Sequence, residues 1–313
     1  KRSLTNFISF SKAETLKQSF KIFLLYSIIT FSIFIILNLL NIRAFNSFNL
    51  AMSIISSGGF LPTNSLSNIL LSNFQITIFS LLMLTSFFSI FLSYNLIFIK
   101  NRNLNFFNED LHLLFYFIFL LTIFFIFFNL DNNFSELLLS LTSSVSNIGF
   151  SLDSNSSHLS FIFLILVIIG GSFFSTSSGI RYLKIYSLFK YSINEILSYS
   201  KPKNIYINKH LFSKEFFKLN EIYKYFLSII IFVISLFFLA FLLTLSGIDF
   251  EVAFKLSILT LMNTVNSSMY GLSDFNFYDL HFFTKYYLII FMIIGRVELL
   301  TLLIICKKFL FKN

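Results

Sequence analysis

The chain has 313 residues, of which 56% are hydrophobic and only 12% are charged, and its formal net charge is +9. This composition excludes an ordinary soluble domain and a disordered chain, and it predicts a polytopic membrane protein. The single cysteine, Cys306, excludes an intrachain disulfide. The sequence contains no phosphate-binding P-loop and no other motif typical of an enzyme.

The chain begins with a basic, polar segment, residues 1–21, which is followed by an apolar run. This run, residues 22–40, has about the ~20 residues that one membrane span needs. A second run, residues 44–55, is too short to cross and leads into the polar sequence SSGGF at 56–60. A long apolar helix is predicted next, over residues 69–99.

The same order of elements returns twice more. The second copy has a span at 111–130, a short helix at 134–145, a loop at 146–150 and a second span at 159–189 that breaks at Gly170 and Gly171. The third copy has a span at 222–245, a short helix at 250–264, a polar loop at 266–271 and a closing span at 282–305. Such an internal repeat predicts an all-α polytopic membrane protein made of helix–pore-helix–loop–helix units.

The unit boundaries follow from these repeats. We predict a cytoplasmic N-terminal segment, three pore units and a cytoplasmic basic linker between the second and third units. The segments are 1–21, 22–105, 106–190, 191–221 and 222–313.

Lysine and arginine residues give the orientation. When the loops are assigned alternately to the two sides, only Arg43, Lys255 and Lys285 of the 23 basic residues fall on the side of the short loops, and Arg296 lies inside the last span. By the positive-inside rule, the side with the other bases faces the cytoplasm. The short helices and their loops then open to the outside.

The short loops suit the binding of a cation. Backbone carbonyls can replace the hydration shell of an ion, glycine permits the backbone conformation that turns them inward, and a half-helix directs its negative end toward the ion. The candidate filter residues are Ser57, Gly58, Gly59, Asn147, Ile148 and Gly149. A glycine in a membrane helix can also serve only close helix packing, but two such loops at matching places of the repeat favour a pore.

Three further stretches carry a family resemblance. The filter-like run at 146–150, the sequence GGSFFSTSSGIRYLKI at 170–185 and the sequence GRVELLTLLI at 295–304 resemble, in this order, the Trk/Ktr/HKT potassium transporters and among them the TrkH-like bacterial subunits. The resemblance implies a pseudo-fourfold pore of four units, of which this chain contains the last three. It also implies K⁺ as the transported ion.

The resemblance extends the filter to the third loop. Counting back from Gly295 places Ser267 where the family has a filter glycine. A serine at this place leaves open whether K⁺ alone or K⁺ with Na⁺ passes. The implied K⁺ ligands are the backbone carbonyls of Gly58, Gly59, Ile148, Gly149, Asn266 and Ser267.

The resemblance also implies a gate. It consists of an intramembrane loop under the filter and of Arg296, which acts as a positive barrier to cations. The loop residues are Gly170, Gly171, Ser172, Ser175, Thr176, Ser177, Ser178 and Gly179. Their composition predicts a flexible segment. The alternatives are a simple Ser/Thr kink for the loop, and snorkelling or pairing with Glu298 for Arg296.

Partners and location follow from the same resemblance. It implies a homodimer in the bacterial inner membrane, regulated by a cytoplasmic nucleotide-binding TrkA-like subunit that docks on the basic segment at 181–224. We expect no cofactor in this chain and no nucleic-acid partner. One rival interpretation is a non-conducting helical subunit of a membrane complex. Another is a substrate-coupled transporter with two halves of opposite topology. The repeats of this chain run in a single orientation, which argues against that interpretation.

Overall fold

The structure, a computed structural model, describes residues 12–63, 65–89, 105–127, 134–152, 159–173, 175–199, 219–265, 268–272 and 275–297. Its α-helices are α1 (Lys12–Leu39), α2 (Ala44–Ser56), α3 (Asn73–Phe87), α4 (Asn105–Phe127), α5 (Phe134–Val145), α6 (Ser160–Ile168), α7 (Tyr182–Ser198), α8 (Leu219–Leu245), α9 (Phe250–Met262) and α10 (Phe282–Val297). Short 3₁₀ helices occupy Ser268–Tyr270 and Phe277–Asp279, and the strands are β1 (Ile169–Gly170) and β2 (Ile180–Arg181).

Helices α1, α2 and α3 form the first unit. The part Ser19–Leu39 of α1 is long and apolar enough to cross a membrane, and α2 confirms the predicted short helix. Helix α3 begins at Asn73 and not at residue 69, because a capping box stops it there: Ser72 Oγ accepts a hydrogen bond from Gln75 N, and Gln75 Oε1 accepts one from Ser72 N.

Helices α4 to α7 form the second unit. The part Glu109–Ile126 of α4 has the length and apolarity of a span, and α5 has the predicted bounds. The predicted break is confirmed, since α6 ends at Ile168 and the chain becomes helical again only at Tyr182. Between these helices β1 pairs in parallel with β2, with Ile169 opposite Ile180. The two strands bring the ends of the intervening loop together.

Helices α8, α9 and α10 form the third unit, in which Glu221–Leu245 has the length and apolarity of a span. The predicted ends of the spans at 69–99 and 282–305, most of the linker and residues 1–11 lie outside the described residues. The unit boundaries therefore stay predictions. The all-α architecture of repeated units is observed.

Two half-helices pack against the neighbouring unit. Helix α5 lies against α3, and α9 lies against α6, so the half-helices of the second and third units contact the second helix of the unit before. These contacts join successive units. The apolar cores follow this order: one surrounds α2 and α3 and includes Ile148 and Phe150 of the next unit, and the other joins the second and third units. The loops that follow the half-helices thereby meet.

Candidate functional site

The three half-helices end in the same geometry. A residue just beyond each helix adopts a left-handed conformation, with φ of +50° at Ser57, +58° at Asn147 and +51° at Asn263; it directly follows α2 and α9 and comes two residues after α5. The following amide closes the helix end with a bond five residues back, as in Gly58 N to Ser53 O at 2.8 Å. The equivalent bonds are Ile148 N to Ser143 O at 3.1 Å and Thr264 N to Leu259 O at 2.9 Å. This is the Schellman type of helix end.

The residues two positions beyond these left-handed residues therefore correspond: Gly59, Gly149 and Val265. Gly59 has φ +66° and Gly149 has φ +92°, a region that side chains rarely permit. A Cβ at Gly59 would clash with the Ile148 carbonyl oxygen, and a Cβ at Gly149 would clash with the Val265 carbonyl oxygen. Both glycines are required by conformation and by close approach, as the sequence predicts.

The third loop has a different residue at the equivalent place. Val265 occupies the position equivalent to the two glycines when each loop is counted from its left-handed residue, whereas counting back from Gly295 gives Ser267. Asn266 and Ser267 themselves lie outside the described residues, so their predicted carbonyl ligation stays a prediction.

The described loops touch one another directly. The backbone N–H of Val265 donates a hydrogen bond to the Ile148 carbonyl at 3.4 Å, so one of the predicted cation ligands has a protein partner in this state. The second loop is fully enclosed, with Ser146, Asn147 and Ile148 all at 0% exposure. The Asn147 side-chain atoms Nδ2 and Oδ1 have no hydrogen-bond partner in the described structure. Asn147 Nδ2 lies 3.1 Å from the place that a Cβ at Gly179 would occupy.

The available oxygen donors are carbonyls and hydroxyls. Within the described ranges, no three His, Cys, Asp or Glu side chains are placed to hold a metal ion. Near the start of α9, Glu251 accepts a hydrogen bond from Lys255 Nζ at 2.5 Å. This bond and the lysine charge lower the pKa of Glu251, which keeps this exposed carboxylate ionised and paired.

The loop between β1 and β2 is described at residues 171–173 and 175–179, and hydrogen bonds tie it to its neighbours. Ser172 N donates to Phe87 O at 3.1 Å, and Ser177 N donates to Ser86 O at 3.2 Å, so the loop is bonded to the end of α3. Inside the loop, Gly171 N donates to Ser177 Oγ at 3.0 Å and Ser175 Oγ lies 2.8 Å from Ser177 Oγ. Its hydroxyl groups replace the helix hydrogen bonds that the break removes. These hydrogen bonds hold the described part of the loop in the observed conformation; its flexibility stays a prediction.

Arg296 joins the filter region to this loop. Its Nη1 donates to Ser178 Oγ at 2.9 Å, and its Nη2 donates to Ser56 O, at the end of α2, at 3.0 Å. Above the same loop, Ser57 Oγ donates to Thr176 Oγ1 at 3.4 Å. Arg296 therefore links the end of α2 to the loop that contains Ser178; its role as a barrier, implied by the family resemblance, stays a prediction. Glu298, its predicted alternative partner, is outside the described residues.

A polar cavity of about 110 Å³ lies beside these contacts, lined by residues 175–179, Arg181, Gly295 and Arg296. It contains both arginine side chains and most of the predicted gate loop. Two positive groups therefore lie at one polar cavity. Gly295 has a separate, packing role, because a Cβ there would clash with Leu261 O of α9.

Sequence reasoning missed three residues of this region: Arg181, Glu109 and Asp110. Arg181 Nη1 donates to the Ser172 and Ser177 carbonyls at 3.2 and 2.9 Å, although the sequence assigns it to a basic surface segment. The two acids are buried at the start of α4. Adjacent acids at the edge of an apolar run were the available signal, because charges in such helices are rare and functional.

No family model matches the sequence, and no curated protein matches it either. The fold does match solved structures, among them the crystal structure of the potassium transporter TrkH from Vibrio parahaemolyticus, with a TM-score of 0.76 and 20% sequence identity. The match covers 95% of this chain and 66% of that chain, so this chain spans slightly less than two thirds of the transporter. The protein has a TrkH-like, all-α polytopic membrane fold.

Proposed function

We propose that this chain is the ion-translocating subunit of a Trk-type potassium uptake system, in which K⁺ passes a filter of backbone carbonyls above a loop-and-arginine gate. The TrkH-like fold supports a potassium transport role. The observation that carries the proposal further is the position of Arg296, which bridges the end of the first half-helix and Ser178 of the loop. A cation leaving the filter would meet this guanidinium first.

The filter in this proposal uses the carbonyls of Gly58, Gly59, Ile148 and Gly149 from the first two loops. The third loop contributes Asn266 and Ser267, as predicted from the sequence, and the helix-end register adds Thr264 and Val265. A homodimer in the bacterial inner membrane and a TrkA-like nucleotide-binding regulatory partner belong to the same proposal. Any nucleotide would then act on the partner.

A second candidate is a non-conducting membrane subunit. The hydrogen bond from Val265 N to Ile148 O favours it, because this bond uses a carbonyl that an ion would need. A valine in place of the third glycine also removes the residue type that turns carbonyls toward the axis.

Rubidium-86 uptake separates the two candidates. The full-length gene is expressed in cells that lack potassium uptake, as wild type, Gly149→Asp and Gly247→Asp. Gly247 is the matched control, since it also has positive φ (+91°) but a Cβ there meets nothing within 4 Å. We expect uptake to be abolished by Gly149→Asp and retained by Gly247→Asp. Equal uptake by all three, at equal membrane abundance, would favour the non-conducting subunit.

A further inference from the structure

Two buried carboxyl groups belong neither to the proposed filter nor to the proposed gate. Glu109 and Asp110 are 5% and 4% exposed, at the start of the apolar helix α4. Burying a carboxylate is costly unless hydrogen bonds and charges compensate it. Their partners therefore indicate what they stabilise.

Both acids bind backbone amides of the gate region. Glu109 Oε1 accepts a hydrogen bond from Phe173 N, inside the loop, at 2.9 Å. Asp110 Oδ1 accepts one from Ser89 N at 3.0 Å. Ser89 follows α3, whose last turn carries the Ser86 and Phe87 carbonyls that bind the loop. The acid pair thus holds the loop and its support at the same time.

Arg181 binds backbone carbonyl groups of the same loop, whereas the acids bind backbone amides. Its Nη1 lies 3.2 Å from Ser172 O, 3.3 Å from Ser175 O and 2.9 Å from Ser177 O, and it also donates to Ser175 Oγ at 3.0 Å. A guanidinium at the end of the loop therefore gathers three of its carbonyls. Hydrogen bonds with one charged partner are stronger than neutral ones, so these contacts bias the loop toward its observed conformation.

We propose that Glu109 and Arg181 are positioning residues that hold loop 171–179 in its pore-blocking conformation, the acid through the Phe173 amide and the arginine through the loop carbonyls. This inference rests on the proposed function, in which the loop is the gate. Neither side chain contacts the ion. Loss of either side chain shifts the loop toward conformations in which it no longer blocks the ion pathway.

The test compares Glu109→Ala, Glu109→Gln and a matched control, Glu195→Ala, in the full-length membrane protein. Glu195 is exposed on α7. Glutamine keeps an oxygen that accepts from Phe173 N, whereas alanine removes it. Amide hydrogen exchange of loop residues 172–179, followed by mass spectrometry, reports loop opening without requiring transport.

We expect exchange in this loop to be about tenfold faster in Glu109→Ala, as for the loss of one charge-assisted hydrogen bond. Glu109→Gln should remain within about threefold of wild type, because the neutral bond is retained, and Glu195→Ala should be unchanged. Rubidium-86 uptake should rise in the alanine variant. Equal exchange in Glu109→Ala and wild type would overturn the inference. If Glu109→Ala is absent from the membrane, Arg181→Gln replaces it in the test. We expect faster exchange in that variant too, and exchange equal to wild type would overturn the inference.

The two proposals fail separately. Faster loop exchange in Glu109→Ala, together with rubidium-86 uptake that Gly149→Asp does not change, would support the positioning role and reject the pore. Gly149-dependent uptake with unchanged exchange and flux in Glu109→Ala would support the pore and reject the positioning role.

Discussion

The first two loops and the third loop begin alike and then differ. Each follows a half-helix with a left-handed residue and the same pair of helix-end hydrogen bonds. Two positions later, Gly59 and Gly149 continue with positive φ, but Val265 is not among the positive-φ residues. A β-branched side chain disfavours that conformation by about 1–2 kcal/mol. The first two loops have a glycine at this position and can turn a carbonyl inward. The third loop has a valine there, and its amide donates a hydrogen bond to the neighbouring loop.

This difference teaches that the helix end and the filter are separable features. The helix end needs only a small polar residue that tolerates positive φ, and Ser57, Asn147 and Asn263 all provide it. The filter geometry needs glycine as well, both for φ and for the approach of the next loop. A repeat can thus keep its architecture while one copy lacks the glycine that the other two have.

Gly59→Val makes the first loop resemble the third, and we expect the largest effect from this substitution. The valine would meet φ +66°, the Ile148 carbonyl and Val265 Cγ2, which lies 2.7 Å from the Cβ position. We expect uptake to be abolished and the protein to be destabilised by about 1–3 kcal/mol or more. Rubidium-86 uptake and thermal unfolding measure the two effects. Unchanged uptake would show that the first loop does not line the pathway.

The opposite change, Val265→Gly, restores a glycine to the third loop. We expect weaker competition by Na⁺ in rubidium-86 uptake, by severalfold, because a third glycine permits a more symmetric set of carbonyls. The control is Val252→Gly, which makes the same replacement on α9, 13 positions before Val265 in the sequence, where it lowers helix stability by about 1 kcal/mol. If both variants show the same Na⁺ competition as wild type, Val265 does not limit selectivity.

A smaller effect is expected from the residues that start the loops. Asn263 Nδ2 donates to Met292 O of α10 at 3.0 Å, whereas the buried Asn147 amide has no hydrogen-bond partner. Asn→Gly keeps the left-handed backbone at both positions. We expect Asn263→Gly to lower the free energy of unfolding by about 1 kcal/mol and Asn147→Gly to lower it less. Thermal unfolding in detergent compares them, and the reverse order would mean that Asn147 has a bonding role in the native protein.

Much of the fold could be predicted because it depends on local properties. The bounds of α5 were predicted from apolar length and flanking polar residues, and the break after α6 from Gly170 and Gly171. The start of α3 could not be predicted by apolar length, since the capping box of Ser72 and Gln75 begins the helix inside the apolar run. Local hydrogen bonding overrides hydrophobicity there.

The site divides in the same way. Glycines at 59 and 149 were identifiable because no other residue tolerates their conformation and their neighbours. Val265 was not, because the helix end that defines its register becomes visible only in the folded backbone. Arg181 and Glu109 were missed because their partners, the carbonyls and amides of the loop, are common to every sequence.

The sequence by itself determined the membrane class, the repeated units and two of the three loops, since hydrophobic length and glycine act over a few residues. Only the tertiary structure decided which residue of the third loop corresponds to the two glycines and which bonds hold the loop between β1 and β2. It also decided the contacts of Arg296 with Ser56 and Ser178, which are 240 and 118 residues away in the chain. Such contacts depend on how the units pack against one another, and no local pattern encodes that distance.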